Sequence, residues 1–363
     1  MINVLWRKAM YIVATLGPKT ISDNAIQKLI GAGIEAFRIN MSHISKDNIK
    51  RIVGFIKSNY PDVKIIGDIT GKKVRVSEKL KDGFKITKGE EVIFTVEDQY
   101  DKLKKQLVDS KLKIIPLNIK QAIIEGLEIN DIYIKDGRYR LAVMGRKGSV
   151  IQCRADSTIY ITKGKSCTIK SIDRSNMDIP DRDIEDIEFL MKNDVDIVLL
   201  SFISSAEDIR KYKEKINAIS SRINKSIEIW AKVETKDGVK NILDICSETD
   251  TIVFGRGDMS AEGGILNLPL YQWEICRSLH KSGKMFIVAT NIMDNVSLKG
   301  RPSTSELNDI FTMMKNGVNG FMLTSETSVS TNGPLAVRYL CKACNRYSNI
   351  LNKRKIKNDV RRK

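Results

Sequence analysis

The chain has 363 residues with a formal net charge of +17; 42% of them are hydrophobic and 29% charged. That length accommodates one large barrel carrying an inserted module, or two or three average domains, and the composition excludes a collagenous or intrinsically disordered chain. No apolar run reaches the roughly 18 residues of a membrane span, and Arg7 and Lys8 interrupt the first residues too early for a secretory leader, so a soluble cytoplasmic protein is expected.

Eight short apolar runs follow one another, each ending in polar residues or glycine: Tyr11–Leu16, Ile34–Asn40, Lys64–Ile69, Asp196–Phe202, Ile227–Lys232, Thr251–Gly255, Met285–Thr290 and Gly320–Thr324. Most are apolar at both odd and even positions, the pattern of a parallel strand covered on both faces. Amphipathic stretches lie between them, such as Ser22–Gly31, Asp183–Lys192, Ala206–Ile219 and Ser305–Lys315. Ser22, Ser205 and Ser303 are placed to cap three of these, Ser303 with Glu306 as a capping box. Strand and helix alternating eight times predict an α/β fold, a (β/α)8 TIM barrel.

One stretch breaks the rhythm. Between the third and fourth runs, Glu91–Val96, Lys111–Ile115, Asp131–Ile134, Arg140–Val143, Val150–Arg154 and Ser157–Ile161 are strand-like and punctuated by Lys88–Gly89, Asp136–Gly137 and Lys147–Gly148 turns. They predict an inserted small all-β lid domain over residues 72–170, with the barrel formed by 1–71 and 171–347. Residues 348–363 hold seven cations against Asp359 alone. With no aromatic residue interleaved, they are read as a solvated basic tail rather than a nucleic-acid arm. The six cysteines are scattered and expected to be reduced, with Cys341 and Cys344 on a buried helical face. His43 and His280 are the only histidines, which excludes a histidine-rich metal site.

A TIM barrel carries its chemistry at the C-terminal ends of its strands. Here those ends present Arg38, Asn40, Ser42 and His43 after the second run and Asp68 after the third. Lys232 and Glu234 follow the fifth, Gly255-Arg256-Gly257-Asp258 the sixth, Thr290 and Asn291 the seventh, and Thr324, Ser325 and Glu326 the eighth. Packing alone does not predict polar and charged residues at the same end of so many strands. Glu234 and Asp258 are hard carboxylates suited to Mg²⁺ or Mn²⁺. Arg38, Lys232 and Arg75 can hold phosphoryl oxygens. The Gly255–Gly257 loop lets backbone N–H groups approach an anion. No Walker-type glycine loop is present, which excludes a P-loop kinase.

These segments resemble the pyruvate kinase family. Phe37-Arg-Ile-Asn-Met-Ser-His43 is similar to the family's ARLNFSH, Asp68–Arg75 to DTKGPEIR, Ser201–Asp208 to SFVRSAED, Ala231–Gly238 to AKIENQEG, Gly255–Met259 to ARGDL, Val288–Asn291 to VATQ and Met322–Thr327 to MLSGET, in order over roughly residues 10 to 347. The resemblance implies transfer of a phosphoryl group from phosphoenolpyruvate to ADP, giving pyruvate and ATP. It implies a divalent ion on Glu234 and Asp258, Lys232 and Arg38 at the phosphoryl group, and Thr290 near the protonated enol carbon. The backbone of Gly255, Gly257 and Asp258 would take the carboxylate, and Asn40, His43 and Arg75 would face the nucleotide. Asn40, Ser42, Asp68 and the carbonyl of Ile69 would surround a K⁺ ion. Lys73, however, stands where many members carry Glu. Members with Lys there tend to need no K⁺, so activity without K⁺ is expected. Lys72 replaces Pro, Thr70 replaces Lys and Ser325 replaces Gly. The family's C-terminal domain has no counterpart, which implies hyperbolic kinetics without sugar-phosphate activation and leaves the barrel as the surface for any homo-oligomer. Two other readings fit the same residues: a non-catalytic homologue that binds a metabolite or partner, and a barrel that uses phosphoenolpyruvate or pyruvate for carbon–carbon chemistry.

Overall fold

The computed structural model describes residues 10–108, 110, 112–170, 172–279 and 282–360, with side chains up to Asn352. Sixteen strands appear among these residues. Eight are β1 (Tyr11–Leu16), β2 (Ala36–Asn40), β3 (Lys64–Asp68), β12 (Ile197–Leu200), β13 (Glu228–Val233), β14 (Thr251–Gly255), β15 (Met285–Ala289) and β16 (Gly320–Leu323). They pair in parallel in that order and β16 returns to β1, closing a barrel. The expected runs and the strands differ by a residue or two at their ends. Thr290 and Phe202, for example, leave the ladder with positive φ, at 76° and 56°.

Val13, Ile66, Leu199, Trp230, Val253, Ile287 and Met322 fill the barrel interior. The other parity of each strand packs against the surrounding helices in a larger core, which is why the runs are apolar at both parities. The expected caps are present: Ser22 accepts from the Ala25 N–H, and Ser205 with Asp208 and Ser303 with Glu306 form capping boxes.

The insert leaves the top rim after β3 and returns before the helix Asp181–Lys192. Its strands are β4 (Phe84–Ile86), β5 (Glu91–Val96), β6 (Lys113–Leu117), β7 (Asp131–Ile134), β8 (Tyr139–Lys147), β9 (Val150–Ala155), β10 (Ile159–Ile161) and β11 (Cys167–Thr168). Six form one sheet in the order β11-β7-β8-β9-β5-β6, around a core of its own that includes Val74, Phe94, Ile132 and Ile151. The insert also contains a helix, Glu97–Gln106, that a period-two reading does not find. Glu97 and Asp98 open it and Lys104 and Lys105 close it, matching the helix dipole. It carries the chain from β5 to β6, which pair in parallel and so require a crossover.

The last described helix runs from Gly333 to Val360, so residues 348–360 of the expected basic tail are helical, and 361–363 lie outside the described residues. Cys344 is buried on this helix and Cys341 is half-buried, and both are free thiols.

Candidate active site

A cavity of about 810 Å³ opens at the C-terminal ends of the barrel strands. It brings together Arg38, Asn40 and His43 from the end of β2, Lys232 and Glu234 from β13, Gly255, Gly257 and Asp258 from β14, and Thr290 from β15. Asp136, on a lid turn, lines it as well.

The cations are organised by Asp68 at the end of β3. Arg38 reaches its Oδ2 through Nε at 2.6 Å and through its terminal nitrogen at 2.6 Å. The Lys232 ammonium lies 3.0 Å and 2.9 Å from the two oxygens, and the Ser201 hydroxyl donates to Oδ1 at 2.7 Å. Burial alone would push the Asp68 carboxyl up, but Lys232 and Arg38 outweigh it and hold it at about 2. Arg38 also donates to Thr15 Oγ1 at 3.0 Å. Two cations from two strands are thereby aimed into one cavity at a fixed separation by a carboxylate on a third.

Glu234 is in the opposite situation. It is fully buried; its Oε2 accepts from the Phe202 N–H at 3.2 Å, and the Lys232 ammonium lies 3.6 Å from its Oε1. Burial pushes its carboxyl up to about 8; Lys232 opposes this, and the charges of Asp258 and Asp68 add to it. A Cβ on Gly255 would lie 2.6 Å from Glu234 Oε1, so this glycine is what lets the carboxylate lie against β14. A buried, poorly solvated Glu234 with Asp258 beside the same cavity is a donor set short of ligands. Mg²⁺ is held by one or two carboxylates and completes its shell with water and substrate oxygens. The residues therefore fit a divalent ion of this kind, whereas no group of three or more His, Cys, Asp or Glu among the described residues forms a complete metal cage.

The loop after β15 is held by residues with no direct view of the cavity. Arg256 donates to the carbonyls of Thr290 at 2.9 Å and Asn291 at 2.7 Å and pairs with Asp309 at 2.6 Å. Buried Glu326 accepts from the N–H groups of Ile292 and Thr324. These contacts stabilise the left-handed backbone at Thr290 and Asn291. Arg256 and Glu326, read from the sequence as strand-end charges, are thus scaffold.

Around the rim, Asn40 Oδ1 accepts from the Ser42 N–H at 2.9 Å, and the Ser42 and Thr70 hydroxyls are 3.0 Å apart. His43 is held towards its neutral form by burial and by the charges of Arg75 and Arg38. Arg75 donates to the carbonyl of Gly164 in the lid at 2.9 Å. Lys73 extends to Asp258 Oδ1 at 2.6 Å and Asp136 Oδ1 at 2.8 Å. Its hydrogen bonds among the described residues go to these two carboxylates and not to Asn40, Ser42 or Asp68. The parts played by Asp136, Phe202 and Ser201 carry no signal of their own in the sequence. Ser201 and Phe202 do lie in the segment similar to SFVRSAED, and Asp136 lies in an Asp-Gly turn.

The family model described as the barrel domain of pyruvate kinase matches residues 7–337. A pyruvate kinase of Thermotoga maritima is 29% identical over 335 residues, covering 91% of this chain and 69% of that protein. One of Methanocaldococcus jannaschii is 30% identical over 332 residues, covering 91% and 68%, and one of Thermococcus litoralis is 27% identical, covering 88% and 65%. The chain thus spans about two thirds of the length of these relatives. With the parallel barrel, the inserted β lid and the cations gathered on Asp68 beside a buried Glu234, this match shows that the chain belongs to the pyruvate kinase family.

Proposed function

We propose that the chain transfers the phosphoryl group of phosphoenolpyruvate to ADP, producing pyruvate and ATP. The observation that carries this reading is the placement of Arg38 and Lys232 on one carboxylate, Asp68, at the edge of a cavity that also holds Glu234 and Asp258. In phosphoryl transfer, catalysis is mainly positioning and charge stabilisation, and two cations locked at a fixed spacing supply both. The bond between the enol oxygen and phosphorus breaks as one forms to the terminal phosphate oxygen of ADP. Arg38 holds the equatorial oxygens, Lys232 offsets the charge of the group in flight, and the enolate left behind takes a proton at its carbon on the side of Thr290. The backbone of Gly255, Gly257 and Asp258 receives the substrate carboxylate. Asn40, His43 and Arg75 face the nucleotide, Arg75 from beneath the lid. Glu234 and Asp258 would hold the divalent ion, Mg²⁺ or Mn²⁺, whose contribution when bound is to neutralise phosphoryl oxygens as a Lewis acid.

The Lys73 ammonium already stands at the carboxylate cluster. Asp68 spends both its oxygens on protein donors. Both facts support turnover without K⁺, with Lys73 supplying the charge that a K⁺ ion among Asn40, Ser42, Asp68 and Ile69 would otherwise supply.

The test is pyruvate formation from phosphoenolpyruvate and ADP, with and without Mg²⁺, in tetramethylammonium buffer with and without KCl. Mg²⁺-dependent turnover at a rate KCl leaves unchanged is expected, with K⁺ activation appearing only in Lys73→Glu. Absence of turnover under every condition would favour a non-catalytic, ligand-binding role.

A homo-oligomer formed through the barrel is a further part of this reading. Leu266, Leu270 and Trp273 are exposed at one-turn intervals on the segment that follows β14, with Ile265 beside them. An apolar patch of this kind marks an interaction surface.

A further inference from the structure

Lys73 follows Lys72 at the root of the lid, and that root is fixed from both sides. The Lys72 ammonium is buried, 2.6 Å from Asp208 Oδ1 and 3.1 Å from the carbonyl of Arg174 on the returning segment of the hinge. Arg174 donates to the Lys72 carbonyl at 3.3 Å and pairs with buried Glu262 at 2.5 Å. The Phe202 ring lies 5.6 Å from the Lys73 ammonium and 5.1 Å from the Arg174 guanidinium. With its backbone anchored, Lys73 retains one freedom, the division of its ammonium between Asp258 on the barrel and Asp136 on the lid. Asp136 is itself held: its N–H donates to Ser166 Oγ at 3.1 Å, and the following Gly137 sits so close to the barrel that a Cβ would lie 3.1 Å from Ala261 Cβ.

We propose that Lys73 is a resident rival of the divalent cation at Asp258, and that Asp136 is the positioning residue that receives the ammonium when the cation binds. This rests on the reading that Glu234 and Asp258 hold that cation. Lys73, Lys232 and Arg38 face Asp68, Glu234, Asp258 and Asp136, three cations against four carboxyl groups. A divalent ion arriving alone leaves this cluster with excess positive charge, whereas one arriving with a phosphorylated carboxylic acid does not. The consequence is a cation site that is weak in the substrate-free protein and strengthens when a polyanion shares it.

The experiment is Mn²⁺ binding to the full chain without substrates, read from the electron paramagnetic resonance signal of free Mn²⁺. Lys73→Met, with Lys73→Gln as a second variant, is expected to bind Mn²⁺ tighter by about tenfold or more. Asp136→Asn is expected to bind it several-fold more weakly, because Lys73 then has Asp258 alone. The double variant Lys73→Met/Asp136→Asn is expected to match Lys73→Met. Unchanged or weaker affinity in the folded Lys73 variants overturns the rivalry. A double variant weaker than Lys73→Met by the same factor as the single Asp136 change overturns the positioning role of Asp136. The metal assignment is tested separately by Glu234→Gln: if it binds Mn²⁺ as tightly as wild type, the cation sits elsewhere, and both readings fall.

Discussion

Two buried carboxylates, Glu234 lining the cavity and Asp68 bonded to two of its cations, are driven in opposite directions by their neighbours. Asp68 is ionised at any working pH because Arg38 and Lys232 grip it, whereas Glu234 lacks a donor that fully compensates its burial. On the proposed reading Glu234 is kept poorly solvated for a divalent ion, a stability cost carried for function. Glu234→Gln is therefore expected to lower turnover by about 10²–10³ while leaving the melting temperature of the metal-free protein unchanged or higher. Near-normal activity at saturating Mg²⁺ would contradict the assignment of Glu234. Asp183 offers a pH-dependent case away from the chemistry. Its Oδ2 accepts from the Gly71 N–H at 3.0 Å and the Tyr212 hydroxyl at 2.7 Å, while Oδ1 has no partner. Burial pushes this carboxyl from 3.8 up to about 6. An acid with a raised folded pKa favours the fold fully below its unfolded value. That contribution declines as pH rises through the window between about 4 and 6, and is gone above it, a loss of roughly 3 kcal/mol. Asn at this position keeps an acceptor and cannot ionise. Melting curves from pH 4 to 7 are expected to show Asp183→Asn gaining several degrees on wild type across that window. A difference independent of pH would show that Asp183 titrates as in the unfolded chain.

At the scale of elements, the join between β3 and the lid concentrates unusual backbone and buried charge. Gly71 has φ of 67°, and a Cβ there would lie 2.2 Å from the Ser201 carbonyl oxygen, so the chain turns against β12 only because the side chain is missing. The next residue, Lys72, carries the ion pair to Asp208, an acidic residue that also closes the capping box of the helix Ala206–Ile223. Removing one member of a buried pair leaves the other uncompensated, at a cost of about 3–5 kcal/mol. Asp208 keeps the N–H groups of Ser204 and Ser205, which places Lys72→Met near the lower end of that range. Arg210→Ala, which breaks solvent-screened exposed pairs with Glu207 and Glu248, is expected to cost far less. Denaturant unfolding of the two variants checks the contrast; equal costs would mean that the hinge pair is as solvated as the surface one.

On the scale of the whole molecule, the barrel closes by parallel pairing of β16 with β1, and its open end is roofed by a lid with a separate core. No helix of the described residues is long and apolar enough to cross a membrane. The exposed face of Leu266, Leu270 and Trp273 breaks the polar pattern of the surface, and Arg277 stacks on the Trp273 ring at 4.9 Å. Aromatic and arginine side chains dominate interface energies. Light scattering is expected to give a mass above the 41.0 kDa of one chain, and Trp273→Glu is expected to return it to the monomer without lowering helical content. A monomeric wild type at micromolar concentration would remove this surface from the account.

The sequence by itself determined the barrel, the insertion point of the lid and the strand ends that bear the polar residues. All three follow from local patterns: apolar runs of strand length, capping serines three residues before an acid, and polar residues just past each run. Local signals were also available for the helix Glu97–Gln106, with acids at its start and lysines at its end, but a strand-by-strand reading of that region masks a crossover. What only the tertiary structure decided is the pairing of charges. Asp68 meets Arg38 across 30 residues and Lys232 across 164, and Lys73 meets Asp258 across 185. No spacing rule spans such separations. Which cation faces which carboxylate is set by barrel closure and by the angle at which the lid folds back, and that choice decides whether a buried carboxyl such as Asp68 is ionised or one such as Glu234 is held near neutrality.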